Sequence, residues 1–113
     1  MSTGPADVIE RIVEQGGDAD DILRAAVAAL ADEPRVSWAG IAFVEGATLR
    51  LGPTAGLADE ARRLSARIVY QGADVGELWV DGDVEPRALE HVVALLAPYA
   101  LIGWDTGGET WDP

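Results

Sequence analysis

The chain has 113 residues, 49% of them apolar and 25% charged, and carries a formal net charge of −12 from 20 acidic against 8 basic side chains. That length fits one domain, and the balance is that of a folded chain able to bury roughly two thirds of its unfolded surface without a metal or a disulfide to hold it. There is no cysteine, so disulfides, thiolate metal sites and cysteine nucleophiles are excluded. The acidic field argues against nucleic acid and anionic membrane surfaces as partners.

Taken in chain order, Gly4-Pro5 opens a short helix, with Ile9, Ile12 and Val13 on one face, and Gly16-Gly17 ends it. Asp18 suits the N-cap of a second helix, with Asp20 and Asp21 in its first turn. Ile22, Leu23, Ala26, Val27 and Leu30 form the apolar stripe of that helix, and Pro34 stops it. The period then changes from 3.6 to two. Residues 36–44 (VSWAGIAFV) read as a strand apolar on both faces, which belongs in the middle of a sheet. Glu45-Gly46-Ala47 turns the chain into a returning strand over 48–51, and 52–56 (GPTAG) read as a break. Residues 57–64 suggest a short helix or an irregular bridge. A second hairpin follows, with strands over 66–70 and 75–80 joined by Gln71-Gly72-Ala73-Asp74.

The last helix is expected from about Pro86 to Ile102. Arg87, Glu90 and His91 share its polar side, while Leu89, Val92, Val93 and Leu96 face the core. Past Leu95 the polar side disappears, and a helix apolar all round expects cover all round. Leu95, Tyr99, Leu101 and Ile102 are therefore the candidates for a dimer interface. The remaining tail, 105–113, reads as irregular. The run from Val92 to Ile102 is too short to span a bilayer. The start of the chain has neither a basic n-region nor an apolar h-region, so the expected location is cytoplasmic. The order helix, helix, hairpin, bridge, hairpin, helix implies an α+β domain of two layers, an antiparallel sheet of two hairpins with the N- and C-terminal helices on one face.

Candidate chemistry is sparse. His91 is the only imidazole, and its place on a polar helix side is that of a solvated residue rather than a base or haem ligand. Asp81-Gly82-Asp83-x-Glu85 lacks the loop length and bidentate Glu of a calcium loop, and reads, with the other acidic clusters, as caps and solvated turns. Gly52 and Gly56 are not followed by a P-loop Lys. Ser37 and Ser65 lie outside any nucleophile elbow. No catalytic residue, metal site or cofactor is expected. The aromatic residues Trp38, Phe43, Tyr70 and Trp79 lie on strands, where such side chains either line an apolar pocket or fill a core; they are the candidate ligand-binding residues.

The segments VSWAGIAFVEGATLRLGPTAG and SARIVYQGADVGELWVDGD, followed by the closing helix ALEHVVALLAPYALIGW, resemble a GAF domain, a small-molecule sensory module related in architecture to PAS domains. Trp38-Ala39-Gly40-Ile41, Leu51-Gly52-Pro53 and Gly56 are most similar to the branch that includes the free methionine-(R)-sulfoxide reductases. The resemblance covers most of 18–104 and implies a single minimal GAF-like domain over 1–113. Such domains roof a ligand pocket with a long middle stretch, for which only 57–64 stand here. The reductases carry catalytic cysteines in that stretch, bilin-binding members attach their chromophore through cysteine, and cyclic-nucleotide-binding members use an Asn-Lys…Phe…Asp-Glu motif. Cys, Asn and Lys are all missing from this sequence.

The expectation is accordingly a non-catalytic, stand-alone signalling or regulatory domain acting by association, as a homodimer packed through the first and last helices or through the exposed sheet face, or with a signalling protein partner. The alternative is a sensor that holds an apolar or heterocyclic ligand on the sheet face.

Overall fold

A computed structural model describes the backbone of residues 4–109 and the side chains of residues 4–100. The elements are α1 (Pro5–Gln15), α2 (Ala19–Ala31), β1 (Val36–Glu45), β2 (Thr48–Gly56), a single 3₁₀ turn (Glu60–Arg62), β3 (Arg63–Tyr70), β4 (Ala73–Gly82) and α3 (Pro86–Glu109). The four strands form one antiparallel sheet in the order β2-β1-β4-β3. β1, apolar on both faces, is central as expected. α2 and α3 pack on one face of the sheet and α1 lies against both of them, so the helices share one side of an α+β domain.

Both hairpins close through two-residue turns. Gln71 and Gly72 take φ of 51° and 84°, the left-handed pair that matches the twist of the flanking strands.

The core lies between the sheet and the helices. Ala39, Ile41 and Phe43 of β1 and Leu78 and Val80 of β4 meet Leu23, Val27 and Leu30 of α2 and Val92 and Leu96 of α3. Ile9 of α1 is fully buried in the same cluster, and Ile12 and Val13 pack against it. The first helix is therefore part of the core, which the family resemblance had drawn from residue 18 onward.

Several boundaries differ from the sequence reading. The break expected over 52–56 is strand: β2 runs on to Gly56, and Ile41 stands opposite both Gly52 and Pro53 in a bulge. Pro53 has no N–H to give a ladder, and an edge strand at a bulge is where that loss costs least. β3 begins at Arg63 and β4 ends at Gly82, beyond the expected limits, because Arg63 and Asp81 pair in register. Asp18 occupies the N-cap of α2 but its side chain makes no capping bond. The helical backbone of α3 continues past Pro98 to Glu109 instead of giving way to an irregular tail from 105; residues 110–113 lie outside the described residues. Pro98 leaves the Ala94 carbonyl without its helical donor, and Ala94 is exposed, so water can take that place.

Of the dimer-interface candidates, Leu95 and Tyr99 have described side chains. Both are half-buried against the core cluster of their own chain, and α1 packs along the same helix. The side chains of Leu101 and Ile102 lie outside the described residues.

Candidate functional site: the outer face of the sheet

The sheet face turned away from the helices carries the chemistry. Side chains alternate across a strand. With Ala39, Ile41 and Phe43 in the core, Trp38, Gly40, Ala42 and Val44 of β1 point outward. Cross-strand partners share a face, so Leu49 (opposite Val44) and Leu51 (opposite Ala42) join them, as do Trp79 (opposite Gly40) and Asp81 (opposite Trp38). Ser65, Arg67 and Arg63 of β3 complete the surface.

At one end of this face lies a cluster of two tryptophans, an arginine and an aspartate. Asp81 is fully buried. Its Oδ1 accepts from Arg63 Nε at 2.7 Å, and its Oδ2 accepts from Arg63 Nη2 at 2.9 Å and from the Asp59 N–H at 2.6 Å. Ser37 Oγ donates to the Asp81 carbonyl at 3.3 Å. Above the carboxylate, the guanidinium of Arg63 sits 4.4 Å from the ring centre of Trp38 and 5.3 Å from that of Trp79, within the range of cation–π attraction. The fork geometry of arginine lets one side chain bond the carboxylate edge-on and offer its faces to aromatic rings. The Arg63 hydrogen bonds hold the Asp81 carboxyl below its ordinary pKa; burial opposes them and the Asp59 N–H assists. This cluster pins the connector between the hairpins, since Asp59 lies just before the 3₁₀ turn and Arg63 just after it.

The second ion pair of the face is at the other end of β3. Arg67 grips Asp74 with Nη2 at 2.8 and 2.9 Å, and the Trp79 indole N–H donates to Glu77 Oε1 at 2.8 Å. Among the described residues no buried side-chain polar atom lacks a partner, and no group of three or more His, Asp or Glu could hold a metal ion. No general base stands beside a nucleophile in this cluster: the carboxylate of Asp81 is committed to Arg63.

Of the four aromatic residues singled out in the sequence, the fold brings two together. Trp38 and Trp79 flank Arg63 on the outer face. Phe43 and Tyr70 are on the other side of the sheet, Phe43 in the core and Tyr70 packed against it, so a single sheet-face site cannot contain all four. The reading of Asp81 as part of a solvated acidic turn is also corrected. It is the one fully buried charged residue among those described, because Arg63, far along the chain, arrives over it. The alternation of β4 did carry a signal: Glu77, Trp79 and Asp81 share a parity opposite to that of Leu78 and Val80. His91 is exposed on α3, as expected.

Gly40 makes room for the cluster. A Cβ there would lie 2.7 Å from Cη2 of Trp38 and 3.1 Å from Cγ2 of Thr54, so the indole lies across the glycine. Gly40→Ala is expected to displace Trp38 and cost about 1–3 kcal/mol, read as a lower melting temperature together with a changed near-ultraviolet circular dichroism spectrum. Unchanged values for both would show that the ring does not rest there.

Three cavities among the described residues lie elsewhere. One of about 420 Å³ is bounded by Gly4, Pro34, Arg35, Asp83 and Ala88 at the end of the domain; one of about 310 Å³ runs between β3 and α3; one of about 250 Å³ sits between α2 and β2. None of these three includes Trp38 or Trp79. Over the outer face, Leu49, Leu51 and Val69 remain 40%, 52% and 44% exposed. No helix among the described residues is long and apolar enough to cross a membrane.

No family model and no curated protein sequence matches the chain. Solved structures do. The GAF domain of an Acinetobacter phosphoenolpyruvate-protein phosphotransferase superposes with a TM-score of 0.72 at 18% identity, over 96% of this chain and 99% of the other. A GAF sensor protein from Burkholderia vietnamiensis gives 0.68 at 18% identity, over 93% and 94%. The fRMsr of Staphylococcus aureus in complex with its substrate, a free methionine-R-sulfoxide reductase, gives 0.66 at 17% identity, over 85% and 93%. Likeness at this level of identity speaks for architecture alone, and the architecture is clear: the chain has the fold of a GAF domain.

Proposed function

We propose that this chain is a non-catalytic regulatory module that works in the cytoplasm by protein association, and that its outer sheet face is the surface it uses. The observation that carries the reading is the open apolar half of that face. Leu49 and Leu51 lie side by side on an edge strand beside Val44, and both stay exposed among the described residues. Contiguous exposed apolar surface on a folded domain marks an interaction site far more often than scattered single residues do. Two structural neighbours support the regulatory part, one described as a sensor protein and the other as one domain of a larger phosphotransferase. The reductases among the neighbours share the fold, but this chain has no cysteine, and its outer-face cluster sets no activated nucleophile.

The test is retention of proteins from an extract of the source cells on immobilised wild-type protein and on a Leu49→Glu/Leu51→Glu variant. The reading expects a defined protein, this chain or another, held by the first and lost by the second. It fails if the two retain the same set.

One observation favours a second reading, a small-molecule sensor. Arg63 Nη1 pairs with the exposed Glu60 at 3.9 Å, and the guanidinium lies within cation–π reach of two indole rings, so a flat heterocycle with an acceptor atom has both an aromatic surface and a donor nearby. A ligand present at about a hundred times its dissociation constant would raise stability by about 2.7 kcal/mol. Thermal-shift screening with nucleobases and other heterocyclic metabolites reads that directly, and an absence of any shift removes this reading.

A further inference from the structure

Resting on the association reading, we infer that the partner of the outer sheet face is a second copy of this chain, docked sheet to sheet. Two arguments single out this occupant, one of charge and one of area.

The first is charge. Two copies of a molecule with a formal net charge of −12 repel one another, so self-association has to use a surface on which charge is cancelled locally. The helix layer is not such a surface: α1 presents Asp7, Glu10 and Glu14 against Arg11, and α2 presents Asp20 and Asp21 against Arg24. The outer face comes nearer to it. Arg63 is tied to Asp81 and Arg67 to Asp74, Glu77 keeps its charge while accepting from the Trp79 indole, and the β2 side of the face, with Val44, Leu49 and Leu51, has no charge at all. A copy of the same face meets one uncompensated negative charge there, that of Glu77 near the β3 side, and none over the apolar β2 side. A strongly basic partner would find its complement on the helices instead.

The second is area. The strands have 8 to 10 residues. At about 4.8 Å between strands and about 3.3 Å per residue, four of them present a face of about 600 Å². Pairing two such faces removes about 1,200 Å² from water, which reaches the lower end of the range for specific complexes. Sheets packed face to face stand about 10 Å apart, with the inner side chains interdigitating. Leu49, Leu51, Val69 and the Trp79 ring are large enough to fill such a layer. A short peptide would cover much less of the face, and would leave part of this apolar surface wet.

The experiment is the mass of the full chain by light scattering and sedimentation equilibrium at micromolar concentration, for wild type, Leu51→Glu, and the helix-face variant Glu14→Arg. Leu51 and Glu14 are both exposed, so both variants keep the core. Wild type and Glu14→Arg are expected to be dimers, and Leu51→Glu to weaken the dimer by about tenfold or more, since a carboxylate would enter an apolar interface from each copy. Raising salt from about 0.05 to about 0.5 M is expected to tighten the wild-type dimer, because it screens the net repulsion and leaves the apolar contact intact. A monomer at both salt concentrations overturns the second-copy inference. So does a dimer insensitive to Leu51→Glu. The association reading is tested separately by the extract experiment: a monomer that still retains a different protein through Leu49 and Leu51 leaves that reading standing with another occupant.

Discussion

Asp81→Ala is expected to lower the free energy of unfolding at neutral pH by about 3 kcal/mol, the lower end of what removing one partner of a buried ion pair costs. The carboxylate has no solvent contact and takes three hydrogen bonds. Its loss strands the Asp59 N–H and leaves Arg63 without a counter-ion between two indoles. Urea unfolding followed by circular dichroism reads the difference. Because folding holds the Asp81 carboxyl below its ordinary pKa, its contribution is complete above the unfolded-state value, about 3.9, and disappears as pH falls through the folded-state value. The stability of wild type should therefore decline more steeply on acidification below about pH 5 than that of Asp81→Asn. Replacing both partners, as Asp81→Leu with Arg63→Met, should return part of the lost stability: the arginine is no longer left without its counter-ion, while the Asp59 N–H still lacks its acceptor. A single Asp81→Ala variant as stable as wild type would show that the carboxylate is not held in this geometry.

Ile9→Ala should cost about 2–5 kcal/mol, the range for truncating a fully buried aliphatic side chain. Ile9 has no exposed surface and sits in the same cluster as the core of α2 and α3. A value below about 1 kcal/mol would make α1 an appendage loosely laid on the domain instead of a core element. The result bears on function as well as stability. A firmly packed α1 occupies part of the surface of α3, which on the association reading leaves less of that helix for a partner.

The consequence for function is a division of labour between the two faces of one sheet. The helix side supplies stability through dense apolar packing. The outer side is held in shape by two ion pairs and a connector of a few residues, which leaves its β2 edge uncovered. The Asp81–Arg63 pair makes that short connector possible: it fastens Asp59 and Arg63 on either side of the 3₁₀ turn to the end of β4. Loss of the pair should free the connector and alter the surface presented to a partner, so Asp81→Ala should also weaken any complex formed there.

Much of the fold was legible in the chain because it rests on local periodicity. The 3.6-residue spacing of Ile22, Leu23, Ala26, Val27 and Leu30, the two-residue alternation around Trp38–Phe43 and the Gly-containing turns at Gly46 and Gly72 each fix an element without reference to distant residues. What the sequence left open is what depends on partners far along the chain. Which strand parity faces the helices separates Trp38 and Trp79 from Phe43 and Tyr70, and that is decided by the packing of α2 and α3. Asp81 reads as one more acid in a turn-like segment until Arg63 is brought over it. Leu95 and Tyr99 of α3 look exposed until the core of their own chain is assembled against them. By itself, then, the sequence determined the elements, their antiparallel pairing and the absence of cysteine chemistry. Only the tertiary structure decided which aromatic residues meet, which charge is buried and which apolar surface stays open, because burial and ion pairing are set by the approach of segments that no local pattern encodes.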